Sequence, residues 1–344
     1  MKIYYSIELL RFFTSISVLL FHYKHFFFPF STLSVLNYQN VEELLPYSFL
    51  LDLFYKYGFY GVQLFYCISG FVFSYIYLIK KEKKFFFINR FARLYPLHFA
   101  TLLLVALLQF INIEVLGSYQ GLIHFNDFYH FILQIFFISA WGFQEGHSFN
   151  GPIWSVSIEL GIYFIFFLLI ESIKKYKKIL LFFIICFFLV IRKITGSNNL
   201  FLECAQLFFL GAFVYSLISS SIPKLLLSVF ALILLPASFI GNFKIFLFCP
   251  ALLLLFLSIE EYLARLSLKN ILKNLGSLTY SLYLLHFPLQ ILIILIFNIL
   301  LIPSNIFISK YFFTGYFLIL FLLSFFSYKF VEYPLNKFIR AKFS

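Results

Sequence analysis

The sequence predicts an all-α polytopic membrane protein of about ten transmembrane helices, with a re-entrant or interfacial segment near residues 128–141. Three observations lead there. The 344 residues are 62% hydrophobic and only 12% charged, against roughly 25% charged in a soluble domain. Such a chain cannot cover a globule with polar surface, so its solvent is lipid. The apolar residues are gathered into long runs parted by short polar blocks, and Lys and Arg are distributed very unevenly among those blocks.

A spanning helix needs about 20 mainly apolar residues. The candidate runs are Ile7–Phe28, Gly58–Ile79, Leu94–Ile113, Phe128–Trp141, Ile153–Ile170, Ile179–Ile191, Leu200–Ser219, Leu225–Ile240, Ile245–Ile259, Leu278–Ile302 and Tyr311–Phe330. The first is too long for the core of a cleavable signal. No internal repeat and no loop large enough for a soluble module is visible, so residues 1–344 read as a single membrane-embedded domain.

Charge decides how many runs cross. If Phe128–Trp141 does not, the N-terminus, the loops with Lys80–Arg93, Lys174–Lys178, Lys224 and Arg265–Lys273, and the C-terminal tail share one side. That side then holds nineteen Lys and Arg against six on the other, with Arg11 inside a span. If Phe128–Trp141 crosses, the split is eleven against fourteen. The positive-inside rule selects the first arrangement, with both termini cytoplasmic. The net charge of +12 thus reads as loop orientation toward anionic lipid headgroups, not as a nucleic-acid surface. Cys67, Cys186, Cys204 and Cys249 are scattered, without a CxxC pair, which indicates neither a disulfide framework nor a metal site.

Ionisable residues inside spans are costly and therefore functional candidates. The first run holds Glu8, Arg11 and His22. At about 100° per residue His22 returns to within about 20° of the direction of Arg11, roughly 16 Å farther along the helix. Glu8, one turn before Arg11, can pair with it. Arg90 and Arg93 share a face ahead of Pro96, which is placed to bend or restart that helix; guanidiniums so arranged suit phosphate oxygens. Lys80–Lys84 read as an anchor. Glu159 lies six residues inside the fifth run, at a depth similar to that of His22, and is expected to orient that imidazole. Tyr280, Tyr283 and His286 form a stripe expected on the inner half of their helix. His25, His124, His130 and His147 fall near interfaces or in loops and are read as unremarkable. No HExxH, Walker loop, GxSxG or dinucleotide fingerprint is present.

In this order the motifs resemble the acyltransferase-3 family of membrane O-acyltransferases, from about Ile7 to Asn336. The acidic residue, Arg and His of that family's first helix match Glu8, Arg11 and His22, although Asp is commoner there at the first position. Gly61–Tyr75 looks like its second span. Arg90, Arg93, Tyr95 and Pro96, then Trp154, Ser155, Glu159 and Tyr163, then Thr279, Tyr280, Tyr283, His286 and Pro288 match later motifs, and Val331–Lys337 is similar to its closing segment. The resemblance implies transfer of an acyl group, usually acetyl, from cytoplasmic acyl-CoA to a sugar hydroxyl of a cell-envelope polysaccharide or its lipid-linked precursor. It implies a bacterial inner (cytoplasmic) membrane, no metal, and an envelope-assembly protein as a conceivable partner. Some members carry a C-terminal hydrolase-like domain; none is expected here.

On that reading His22 removes the hydroxyl proton, Arg11 holds the thioester carbonyl or a CoA group, and Arg90 and Arg93 grip CoA phosphates. The rival class is a transporter or flippase for a lipid-linked or anionic solute, which ten spans with buried charges suit equally well. A catalytically silent partner of an assembly machine is a third class. Within enzymes, a small lipid or secondary metabolite is the alternative acceptor.

Overall fold

The computed structural model describes residues 3–27, 41–79, 85–120, 123–196, 199–220, 222–239 and 244–343, with only the backbone of Val41, Glu42 and Lys224. The anchor Lys80–Lys84 and the ends of two apolar runs, Phe28 and Ile240, lie outside them. The chain is 84% helical, with no strand among the described residues. In order the α-helices are α1 Tyr5–Tyr23, α2 Val41–Leu44, α3 Ser48–Tyr57, α4 Tyr60–Tyr77, α5 Phe86–Leu116, α6 Phe128–Ile135, α7 Ile153–Thr195, α8 Leu200–Ile218, α9 Lys224–Ala237, α10 Lys244–Ser258, α11 Glu260–Leu263, α12 Lys269–Ile299, α13 Lys310–Ser327 and α14 Tyr333–Phe343.

Among the described residues five helices can cross a membrane by length and composition: α5, α7, α8, α12, and α13 continued through α14; α3 and α4 qualify together as a bent pair. Helix α1 is not among them because Glu8, Arg11 and His22 interrupt its apolar run, and α9 and α10 are shorter apolar helices. Helix α7 holds 43 residues, roughly 65 Å at 1.5 Å per residue, twice the hydrocarbon thickness of about 30 Å. It turns at Lys177, whose φ of 47° breaks the helical path between the two apolar runs the sequence shows there. Helix α6 has eight residues, roughly 12 Å, too little to span. Its Asp127 caps the backbone N–H of His130 at 2.9 Å. That bond is the main reason the Asp127 carboxyl is held below its usual range. A single π-turn, Ser139–Phe143, follows α6.

Two helix starts differ from the apolar runs. Helix α5 begins at Phe86 and α12 at Lys269, each well ahead of its first long apolar stretch, because a helix continues into the interface as long as its side chains can reach water. Pro96 neither ends nor restarts α5; it sits inside it.

The chain forms two compact units. The first comprises Met1–Thr14, Tyr60–Phe86 and Ile158–Ser277. In it α4 packs along α8, and α10 packs on α9, α8 and α4. The α4–α8 contact is close because glycines face carbonyls across it. A Cβ on Gly70 would overlap the Phe208 carbonyl, and one on Gly211 the Cys67 carbonyl. Small residues at such a crossing let two backbones approach in lipid, where burial of apolar surface supplies little drive. Phe73 stacks on Tyr163 with ring centroids 4.0 Å apart and meets Phe166 and Phe208 edge-on.

The second unit comprises Ser15–Phe59, Phe87–Ser157 and Leu278–Ser344. Leu102, Val105 and Leu108 of α5 pack with Phe287, Ile291 and Leu295 of α12, and Ile123 and Phe149 close this core. A polar scaffold holds the residues between α5 and α7. Gln109 and Gln120 bond each other side chain to backbone. His98 meets the Gln134 carbonyl at 2.8 Å, and the Gln134 amide donates to Ser148. Asn150 bonds Thr101 and the Leu284 carbonyl.

Apolar side chains point outward in rows. Phe182, Phe183, Phe187 and Val190 of α7, and Leu318, Ile319, Leu322 and Phe326 of α13, are exposed. Contiguous apolar surface of this kind belongs against lipid; this is a membrane protein.

The glycine crossing yields a test with opposite signs. In an open helix Gly→Ala stabilises by about 1 kcal/mol. Gly315→Ala, whose Cβ would meet nothing within 4 Å, should raise the unfolding temperature in detergent. Gly211→Ala should lower it, because overpacking against a backbone carbonyl costs about 1–3 kcal/mol.

Candidate active site

The polar residues of α1 divide between the two units. In the first unit Arg11 Nη1 lies 3.2 Å from Glu8 Oε2, and both side chains are largely buried. Gly276 makes room for this carboxylate: a Cβ there would overlap Glu8 Oε2 and lie 2.7 Å from Glu8 Cβ. The N-terminus of α1 is held by Glu260, which accepts the Ser6 N–H at 2.8 Å. Its negative charge suits the exposed N–H groups there. Glu159 is half-buried on α7, and Tyr163, one turn on, is buried against Phe73.

In the second unit His22 is held at two points by α12. The Gln290 amide donates to the His22 carbonyl at 2.9 Å, and His22 Nδ1 lies 2.8 Å from His286 Nε2. His286 is fully buried and its Nδ1 lies 2.7 Å from the Tyr283 carbonyl. His22 is only half-buried, and its Nε2 makes no hydrogen bond among the described residues. His25 stacks on the His22 ring, centroids 4.8 Å apart and planes 25° apart. The residue after His22, Tyr23, donates to the Phe307 carbonyl at 2.8 Å. It is packed by Phe26, Phe313, Tyr316 and Phe317. The end of α1 is thus fixed by aromatic packing on one side and by α12 on the other.

The three-residue stripe on α12 does three different jobs. Tyr280 donates to the Leu94 carbonyl at 2.7 Å, beside Pro96 of α5. The Tyr283 hydroxyl lies 2.7 Å from Ser155 Oγ and 3.0 Å from the Pro152 carbonyl, and so pins the start of α7. His286 alone reaches His22. His286 is the eighteenth residue of α12 and His22 the eighteenth of α1. Trp154 is half-buried in the first turn of α7. Arg90 and Arg93 lie in the first turns of α5. Ser281 of α12 bonds Glu332, the buried carboxyl of the closing segment.

Sequence reasoning missed Gln290, Asn150, Gly276 and the partnership of the two imidazoles. Gln290 had a readable signal, one turn after His286 on the same helix face. His25 and His130, read as unremarkable, are a ring stacked on His22 and a buried imidazole held by Asp127.

Removing the Tyr283 hydroxyl takes one bond from Ser155 and one from the Pro152 carbonyl, which keep each other at 3.1 Å. Tyr283→Phe should therefore destabilise the protein by about 0.5–1.5 kcal/mol, seen as a lower unfolding temperature in detergent.

A family model described as an acyltransferase domain matches residues 4–329. No curated protein and no solved structure matches the chain.

Proposed function

Since the chain belongs to the acyltransferase-3 family of membrane O-acyltransferases, we propose that it moves an acetyl group from cytoplasmic acetyl-CoA to a hydroxyl of a cell-envelope glycan or its lipid-linked precursor. The observation that carries the mechanism is the imidazole of His22, clamped in place yet with one ring nitrogen unoccupied.

A sugar hydroxyl is a poor nucleophile and needs a base near neutral pKa as it attacks a thioester. His22 Nε2 takes the hydroxyl proton, the oxygen–acyl bond forms, the carbon–sulfur bond breaks, and the proton passes on to the departing thiolate. Arg11, paired with Glu8, lies roughly 16 Å from His22 along the helix, which leaves a CoA group, rather than the carbonyl attacked beside His22, as the part it holds. Glu159 stays in the proposed catalytic set, but not as the partner of His22 Nδ1, which is taken by His286. Arg90 and Arg93 bind CoA phosphates.

The topology we propose has ten crossings, both termini cytoplasmic and α6 at the interface. It uses α1, α4, α5, α8, α9, α10, α12, α13 and the two halves of α7, and it keeps the nineteen-to-six split of Lys and Arg. CoA is too charged to cross. In this arrangement it binds at the cytoplasmic ends, and its pantetheine arm carries the thioester inward toward His22.

Membrane vesicles bearing the chain, supplied with radiolabelled acetyl-CoA, should place label in the glycan or lipid-linked sugar fraction. Label no higher than in vesicles without the chain would favour the transporter reading. His22→Ala should lower this transfer by about 10²–10⁴-fold at an unchanged protein level. Arg90→Ala with Arg93→Ala should instead raise the acetyl-CoA concentration needed for half-maximal rate; an unaltered KM would remove those two residues from the donor site.

A further inference from the structure

We infer that His286 is a positioning residue that sets the tautomer of His22, so that Nε2 of His22 carries the lone pair and can act as a base. This rests on the proposed role of His22 and deepens it.

The argument starts at the far end of the chain of contacts. A carbonyl oxygen can only accept, so the 2.7 Å contact between His286 Nδ1 and the Tyr283 carbonyl requires a proton on that Nδ1. A neutral imidazole carries one N–H, which leaves His286 Nε2 as an acceptor. The nitrogen 2.8 Å from it, His22 Nδ1, must then donate. His22, neutral in turn, has its lone pair on Nε2, the nitrogen without a hydrogen bond among the described residues. One backbone carbonyl thus propagates a proton assignment through two rings. His25 cannot replace His286 in this, because it lies face to face with His22, with planes 25° apart, and offers no lone pair in the plane of the ring.

The relay also serves the step itself. When His22 Nε2 takes the hydroxyl proton, the imidazolium formed still donates from Nδ1 to His286, which shares the charge. The proton at Nε2 then leaves to the CoA thiolate, and both rings return to their starting tautomers. The buried His286 holds its orientation through helix geometry, since Tyr283 precedes it by three residues on α12.

The test uses the full chain in lipid nanodiscs at neutral pH, with ¹⁵N-labelled histidine, and acetyl transfer measured in vesicles from the same cells. His22→Ala identifies the His22 signals. In the wild type they should show a pyrrole-type Nδ1 and a pyridine-type Nε2. His286→Gln keeps an acceptor oxygen near the position of Nε2, so it should preserve that pattern and keep transfer within about tenfold. His286→Leu fills similar space without an acceptor. There the His22 proton should redistribute toward Nε2 and transfer should fall by about 10²–10⁴-fold, the scale of a base held in the wrong tautomer. The KM for acetyl-CoA should stay unchanged. An unaltered His22 pattern in His286→Leu would overturn the inference, as would equal loss of transfer in the Gln and Leu variants. Full transfer in His22→Ala would instead overturn the base reading and leave the tautomer result standing as a separate measurement.

Discussion

A polar group inside an apolar bundle has no water to turn to, so its hydrogen bonds must come from the protein itself. This constraint shapes the second unit more than any packing preference does. Asn150 bonds a threonine hydroxyl and a helix carbonyl, Gln134 bonds Ser148, and the Tyr283 hydroxyl lies against Ser155 and the Pro152 carbonyl. Asn150 ties the segment between α5 and α7 to α5 and α12, Tyr283 ties the end of that segment to α12, and Gln134 ties two parts of the segment to each other. The residues between α5 and α7, too short in helix to cross, are held by their polar side chains. The same requirement makes His22 a defined object: its carbonyl and one ring nitrogen are both engaged by α12, and the remaining nitrogen makes no hydrogen bond among the described residues.

The first unit meets a different side of the same constraint. Where lipid is as apolar as leucine, helices are held by close contact, and close contact needs small residues. Gly70 and Gly211 face carbonyls of the opposing helix, so α4 and α8 approach at backbone distance. Gly276 uses the same freedom for a chemical purpose, leaving a space that the Glu8 carboxylate fills while it pairs with Arg11. A glycine that looks like ordinary helix punctuation in the sequence is a condition for a buried ion pair.

Helical class and membrane placement were legible because they depend on local composition: the apolar runs fall on helices. Helix limits were less so. Lys269 and Phe86 start helices that the apolar pattern begins only at Leu278 and Leu94, because hydropathy reports where lipid is and not where helical hydrogen bonding stops. Within the candidate site, Glu8 and Arg11 could be paired from a spacing of three residues, a local relation. The His22–His286 contact joins residues 264 apart, and no periodicity along either helix encodes it. Each partner was visible alone; the bond between them is a property of how α1 and the later part of α12 pack, which one sequence does not state.

The choice of imidazole over carboxylate as the partner of His22 follows from where the pair lies. A carboxylate would fix the same tautomer and would stabilise the imidazolium more strongly, but burying it costs several kcal/mol before any pairing offsets the loss. A neutral imidazole that already donates to a backbone carbonyl brings no net charge into the bundle. With His22 as the proposed base, a neutral partner shares its positive charge only weakly, so the protonated state would have to be brief. A thioester suits that arrangement, because its leaving group is an anion created in the same step and close enough to take the proton back. On the proposed reading, with His22 as the base, a thioester donor and a hydroxyl acceptor can meet at one nitrogen without a second charge in the bundle.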